Sequence, residues 1–326
     1  MSERFTILGG GVCGLAMAAE LSSRGAKVTV IDLKDAPGAH ACSWWAGGML
    51  APECEGVIAE PDIVRQGRKA AAWWERHGAT IHKQGTLVVA LGRDHSDLAT
   101  FARRAPAAKT LNRDGIGAIE PHLAERFSKA LFLPDEAHLN PRETLTTLHE
   151  RLEQTGVTFQ GKAQGQMIDC RGLAARDTLA DLRGVKGEML VVRCRDVTLS
   201  RPVRLLHPRF PLYIVPRGDG VFMLGATQIE TGDRTRATVR SIMELMNAAY
   251  ALHPAFAEAE LLEIGVDARP AFPDNAPRIR QMGDRIYANG LFRHGFLLAP
   301  ALARMTADLL LDGTTPEVWY EDHRQR

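Results

Sequence analysis

The stretch FTILGGGVCGLAMAAELSSRGAKVTVID, Phe5 to Asp32, decides the fold. Its first apolar run, Phe5-Thr6-Ile7-Leu8, predicts a buried parallel strand. Gly9-x-Gly11-x-x-Gly14 follows at once, then a helical pattern of Leu15, Ala18, Ala19 and Leu21 that stops at Gly25. A second apolar run, Val28 to Ile31, ends in Asp32. Each part serves a dinucleotide. Gly9 allows the tight turn, Gly11 lets backbone approach a pyrophosphate, and Gly14 lets helix pack closely on strand. Val12 and Cys13 lie inside that turn, where the helix N-terminus offers free N–H groups and positive potential. Asp32 is placed to accept the ribose hydroxyls. An ordinary strand–helix–strand unit with a glycine turn would share some of these features, but not the whole order. By itself the unit fits either NAD or FAD.

The composition is that of a soluble globular protein, with 45% hydrophobic and 24% charged residues among 326. That length allows roughly two domains. Forty Lys plus Arg against 39 Asp plus Glu leave a net charge of +1, which argues against nucleic acid or another polyanion as partner. No apolar window reaches the ~18 residues of a membrane span. The first apolar run is already the nucleotide strand, so no signal peptide is expected. Five scattered cysteines without a CxxC argue against zinc, a redox pair or a disulfide framework, and point to the reducing cytoplasm. No metal site is expected.

Further along, His40 to Pro52 (HACSWWAGGMLAP) is a loop whose small residues would let backbone lie against a flat ring. Trp44 and Trp45 read as packing. A helix is predicted from Pro61 to about Arg76, strands at Gly85–Ala90 and Ala130–Leu133, and a helix over His95–Arg104. Asn140-Pro141-Arg142-Glu143 predicts a helix start, with Asn140 as cap, Pro141 in the first turn and Glu143 in a capping box. Short strands at Val157–Phe159 and Met167–Cys170 return to the nucleotide domain, so that domain is interrupted near residue 76 rather than finished. Strands Glu188–Arg193, Val203–His207, Leu212–Val215 and Val221–Leu224 have hairpin-like spacing and predict an antiparallel sheet. A helix over Thr235–Leu252, strands Leu261–Val266 and Arg285–Asn289, and a last helix from about Pro300 to Leu311 complete the reading.

Several stretches then carry a resemblance. Gly9-x-Gly11-x-x-Gly14, Ser43 to Pro52 (SWWAGGMLAP), Val185-Lys186-Gly187-Glu188, Tyr213-Ile214-Val215-Pro216-Arg217, Leu224-Gly225-Ala226-Thr227 and Phe292 to Pro300 (FRHGFLLAP) occur in order. Over nearly the whole chain the sequence resembles the FAD-dependent glycine oxidases of thiamine biosynthesis, in the D-amino-acid oxidase superfamily. The resemblance implies an α/β fold: an FAD-binding Rossmann-like domain (1–76, 141–180 and 265–326) interleaved with an α+β substrate domain on an antiparallel sheet (77–140 and 181–264). It implies hydride transfer from Cα of glycine or another small amino acid to flavin N5. O2 is then reduced to hydrogen peroxide, and the imine or glyoxylate product goes to thiazole formation.

By the same resemblance Arg269 holds the substrate carboxylate, a task suited to a planar, permanently charged guanidinium. Tyr213 hydrogen-bonds that carboxylate, and Met49 approaches the substrate side of the flavin. Ser43, Gly47, Gly48, Met49, Gly172, Arg293, His294, Gly295, Phe296 and Leu297 join the glycine turn as FAD contacts. The turn at Gly295–Pro300 brings backbone donors and a helix N-terminus to the pyrimidine edge, where reduced flavin carries negative charge. Two departures stand out. Cys170-Arg171-Gly172 replaces the family's smaller turn, and His207 keeps only part of its tyrosine–histidine neighbourhood and receives no catalytic role. Val266-Asp267-Ala268-Arg269-Pro270 lacks the cysteine that bonds flavin in sarcosine oxidases, so FAD is expected to be non-covalent. A D-amino-acid or sarcosine oxidase, a quinone-linked dehydrogenase, and a non-catalytic FAD protein are the alternatives. Relatives form tetramers or dimers, but no stretch marks an interface. There is no Ser-His-Asp set, HExxH, P-loop or second GxGxxG.

Overall fold

The computed structural model describes residues 3–207 and 211–324. Strands Arg4–Leu8 and Lys27–Ile31 flank the helix Val12–Ser23, as the opening stretch predicts. They pair in parallel, Phe5 opposite Val28 and Ile7 opposite Val30. On the other side of Arg4–Leu8 lies Gln166–Asp169, also parallel, and beyond it Arg285–Asn289. A seven-stranded sheet thus gathers strands from the start, middle and end of the chain. Val12–Ser23 packs against both the C-terminal helix Gly295–Asp312 and the helix Pro141–Gln154. Leu15, Met17, Leu21, Leu298 and Leu302 are fully buried there.

The second sheet has eight strands. Glu260–Ala271 forms one edge, followed by Arg183–Arg193, Val221–Gly225, Leu212–Pro216, Val203–Leu206 and Thr86–Ala90. It is antiparallel as predicted except for one pair, Val203–Leu206 beside Thr86–Ala90, which runs parallel. Those two strands are distant in sequence and carry no hairpin signal. Helix Val239–Leu252 covers the sheet, with Leu245, Ala249 and Leu252 meeting Phe222 and Phe256 in one core. Glu260–Ala271 pairs with Arg183–Arg193 along its whole length, so the expected boundary between residues 264 and 265 falls inside a continuous strand. Arg269 therefore stands on the second sheet.

Three helices differ from expectation for local reasons. Pro61–Arg76 is two helices, Pro61–Gly67 and Ala70–Arg76. Gly67 is pressed against the C-terminal helix, since a Cβ there would sit 2.8 Å from Leu297 Cγ. The helix expected from Thr235 begins at Val239, because Thr238 caps it by accepting from Ser241 N at 3.2 Å. The last helix starts at Gly295 and holds Pro300 inside it. Proline cannot donate to the carbonyl four residues back, which is Phe296. Trp74 Nε1 donates to that carbonyl instead, at 2.7 Å, so a buried acceptor is satisfied from another helix. Asn140 caps its helix as predicted, accepting from Arg142 N at 3.2 Å. Glu143 does not close a capping box; it accepts from Thr80 Oγ1 at 3.2 Å.

Candidate functional site

At the glycine turn each glycine has a separate reason. Gly9 has φ +99°, and a Cβ there would lie 2.6 Å from Cys170 O. A Cβ at Gly14 would lie 1.8 Å from Gly9 O. Gly11 differs, because its nearest neighbours would be Ser43 Oγ at 3.5 Å and Ala41 Cβ at 3.9 Å. Protein packing alone does not demand glycine at that position. The helix that follows has no side-chain cap from its own N-cap residue, and Ser43 Oγ accepts only from Val12 N, at 3.3 Å. Cys13 Sγ is turned to Ala288 O at 3.4 Å and the Val12 side chain is buried, so what these two residues can offer a ligand is backbone N–H, that of Val12 being shared with Ser43 Oγ. Asp32 follows the second strand, its carboxylate beside His40 Nε2 at 3.1 Å and accepting from Leu33 N at 2.7 Å. His40 had no sequence signal. Arg171 is tied down by Asp169 at 2.7 Å and Asp177 at 2.8 Å, while Gly172 takes φ +57° and its carbonyl accepts from Asn289 Nδ2 at 2.9 Å.

A cavity of about 500 Å³ is bordered by residues of the second sheet, the helix Val239–Leu252, the loop before Met49 and the start of the C-terminal helix. Gly47, Gly48, Met49, Tyr213, Arg269, Arg293, His294, Gly295, Phe296 and Leu297 all line it. Ser43, Gly172 and the glycine turn lie outside its wall among the described residues. No cysteine is in the wall among the described residues.

Arg269 is half-buried, and its Nη1 donates to Thr227 O at 3.2 Å. No carboxylate pairs with it among the described residues. Gly187 leaves room for the guanidinium, since a Cβ there would be 2.3 Å from Nη2. Tyr213 stands opposite Gly225 in the neighbouring strand, and its ring also lies on Gly47, whose Cβ would be 2.9 Å from Cε2. Burial raises the phenol's pKa, and the nearby Glu55 adds to this against Arg269 and Arg293. The hydroxyl is therefore protonated at neutral pH. Arg217 supports the Gly47–Gly48 loop by donating to Gly47 O at 2.8 Å and Leu139 O at 3.2 Å. Its pKa is lowered to about 10 by burial.

Sequence reasoning missed the cluster around Glu55. Arg293 Nη2 and His294 Nε2 lie 2.7 and 2.8 Å from Glu55 Oε2, and Arg204 Nη1 is 3.7 Å from Oε1. Burial alone would raise this carboxyl's pKa, but Arg293, His294 and Arg204 together lower it. Arg293 is thus already neutralised, unlike Arg269. Trp44 and Trp45 flank Arg142, whose guanidinium is 5.2 and 5.1 Å from their ring centres.

Behind this wall Glu136 is buried, and its Oε1 accepts from Cys54 N at 2.7 Å. Burial raises its pKa from 4.5 to about 7. The unfolded chain ionises this carboxyl first, so folding stability falls as pH rises from about 4.5 through 7. Glu136→Gln keeps the acceptor for Cys54 and removes the titration. Urea unfolding should show the variant stabilised at pH 8, by up to about 3 kcal/mol, with much less gain at pH 5. An equal change at both pH values would refute the assignment.

The residues fit an FAD. Gly11 leaves open space beside a helix N-terminus that its own N-cap residue does not cap, Asp32 stands at the end of the second strand, and His294 Nδ1 is buried without a hydrogen-bond partner. No helix among the described residues is long and apolar enough to cross a membrane.

Comparison with known proteins agrees. The sequence family described as "FAD dependent oxidoreductase" matches residues 4–309. A relative from Rhizobium etli, named as a thiamine biosynthesis oxidoreductase, ThiO, is 49% identical over 316 residues, covering 94% of this chain and 96% of the relative. A glycine oxidase of Pseudomonas aeruginosa is 26% identical, covering 95% of each chain. The crystal structure of glycine oxidase from Geobacillus kaustophilus superposes with a TM-score of 0.81 at 23% identity, over 96% of each chain.

Proposed function

From the premise that this chain belongs to the FAD-dependent oxidoreductase family of the D-amino-acid oxidase type, we propose that it is an oxidase of glycine or another small amino acid. One observation carries the reading: Arg269 presents a guanidinium with no carboxylate partner among the described residues to a cavity shared with Tyr213 and Met49. FAD, when bound, supplies the acceptor for a hydride and hands the electrons to O2. That it is held non-covalently belongs to the same proposal.

The substrate carboxylate is taken by Arg269 in a charge-assisted, two-pronged contact. Tyr213, kept protonated, donates to the same carboxylate. Met49 and the Gly47–Gly48 loop form an apolar wall that excludes water, and Arg217 fixes that loop. No protein base is assigned at Cα, because the lone pair of a neutral amine drives loss of the hydride. What the chain provides is orientation and fixed charge. Gly9, Gly11, Val12, Cys13, Gly14, Asp32, Ser43 and Gly172 are proposed to hold the dinucleotide half of the cofactor. Arg293, His294, Gly295, Phe296 and Leu297 are proposed to hold the flavin end. Delivery of the imine or glyoxylate to a thiazole-forming enzyme, a homo-oligomeric state and a cytoplasmic location belong to the same proposal.

The test is peroxide release from glycine, sarcosine and D-proline by the purified holoprotein, with a quinone as competing electron acceptor. Glycine turnover with peroxide is expected. Peroxide from D-proline or sarcosine with none from glycine would move the substrate. Quinone reduction with negligible O2 use would make the protein a dehydrogenase.

A further inference from the structure

We propose that Glu188 is a positioning residue for Arg269, acting through Thr227; this rests on the reading of Arg269 as the carboxylate anchor. Glu188 is fully buried in the strand Arg183–Arg193. Its Oε2 accepts from Thr227 Oγ1 at 3.0 Å and its Oε1 from Thr238 N at 3.3 Å. The backbone locks the same contact, since Glu188 N donates to Thr227 Oγ1 at 2.8 Å and Thr227 N to Glu188 O at 3.1 Å. Thr227 O, in turn, is the acceptor for Arg269 Nη1 at 3.2 Å.

Thr227 and Thr238 are the two ends of a strap that borders the cavity. One carboxylate therefore clips both ends. Lys186, also buried, holds the middle: its Nζ is 2.7 Å from both Asp233 Oδ2 and Arg236 O, and 3.6 Å from Glu188 Oε1. Lys186 and Ile229 exchange both backbone hydrogen bonds, at 2.8 and 3.0 Å. Successive strand residues face opposite ways. Lys186 and Glu188 thus serve the strap on one face, while Gly187 between them leaves space for the Arg269 guanidinium on the other. Val185-Lys186-Gly187-Glu188 is in this sense a single device that presets the height and direction of the anchor before substrate arrives.

Two acceptor oxygens are required at residue 188. Both oxygens accept hydrogen bonds and Lys186 lies beside them, so an amide would turn an N–H against one donor. The test uses holoenzyme and glycolate, which presents glycine's carboxylate without its amine, titrated against the absorption of bound flavin. Glycine kinetics are measured in parallel. Glu188→Gln should raise the glycolate Kd and the glycine KM roughly tenfold, with a much smaller change in kcat and with FAD content unchanged. Thr227→Val should do the same, and it tests the link where Glu188→Gln loses the fold. Thr227→Ser keeps the hydroxyl and should behave as wild type. The proposal is overturned where Arg269→Ala weakens glycolate but Glu188→Gln and Thr227→Val bind it within twofold of wild type. It is overturned equally where Thr227→Val and Thr227→Ser cannot be told apart. Arg269→Ala binding glycolate as wild type does would remove the anchor reading itself, and the positioning role with it.

Discussion

Arg269→Ala is expected to lower kcat/KM for glycine by about a thousandfold, mostly through KM, with FAD still bound at wild-type occupancy. The size follows from the contact. A guanidinium and a carboxylate paired in a cavity of low water content lose about 2–5 kcal/mol when one partner is truncated, and about 1.4 kcal/mol is a factor of ten. FAD occupancy should hold because the glycine turn belongs to the other sheet. Stability gives an independent readout. Arg269 donates to Thr227 O and has no carboxylate partner among the described residues, so its removal breaks no ion pair. Groups held ready for a ligand are commonly neutral or unfavourable to the fold. The melting temperature of the variant should therefore equal or exceed that of wild type. Arg269→Lys should fall between, since an ammonium keeps the charge but loses the planar fork. A KM that does not move in Arg269→Ala would take the residue out of the site.

What could be read in advance was what neighbouring residues decide. The strand, glycine turn, helix and Asp32 are local in sequence, and each has a physical reason that survives in the structure: the backbone approach at Gly9, the packing at Gly14, the open side of Gly11. The cap at Asn140 was legible for the same reason. The C-terminal helix misled because Pro300 looks like a first-turn residue. It stands inside the helix only because Trp74, far away in the chain, takes the freed carbonyl of Phe296. The cluster of Glu55 with Arg204, Arg293 and His294 had no signal, since a charge in a short helical turn reads as solvated until the fold brings two distant guanidinium groups and an imidazole to it. The parallel pairing of Val203–Leu206 with Thr86–Ala90 is likewise set by sheet assembly rather than by spacing. For Arg269 the motif picked out the residue, but not the empty Gly187 beside it or the Thr227 carbonyl that orients it.

Gly11→Ala and Gly14→Ala should separate two meanings of a glycine in one turn. At Gly14 an added Cβ would lie 1.8 Å from Gly9 O and 2.9 Å from Gly9 C, with Ile7 Cγ2 at 3.3 Å. The first two are backbone atoms and have no rotamer by which to escape. The turn must shift, and such overpacking costs about 1–3 kcal/mol. FAD-free Gly14→Ala should therefore melt several degrees below FAD-free wild type. At Gly11 the backbone is extended, with φ −74° and ψ −173°, and suits any residue. A methyl there would meet Ser43 Oγ at 3.5 Å and Ala41 Cβ at 3.9 Å, which are ordinary contacts. FAD-free Gly11→Ala should melt within about a degree of FAD-free wild type, because a change that strains nothing stays near zero. With FAD the two variants converge. A pyrophosphate laid across the turn needs the space beside Gly11, so the methyl should weaken FAD by about tenfold to a hundredfold, the factor for a steric clash of about 1–3 kcal/mol. Ligand stabilisation grows with the logarithm of concentration over Kd, so the rise in melting temperature on adding FAD should shrink in both variants. Scanning calorimetry of wild type and both variants, with and without FAD, reads all six values. FAD that protects Gly11→Ala as well as it protects wild type would mean that the pyrophosphate does not cross this turn, and the cofactor would have to be placed elsewhere.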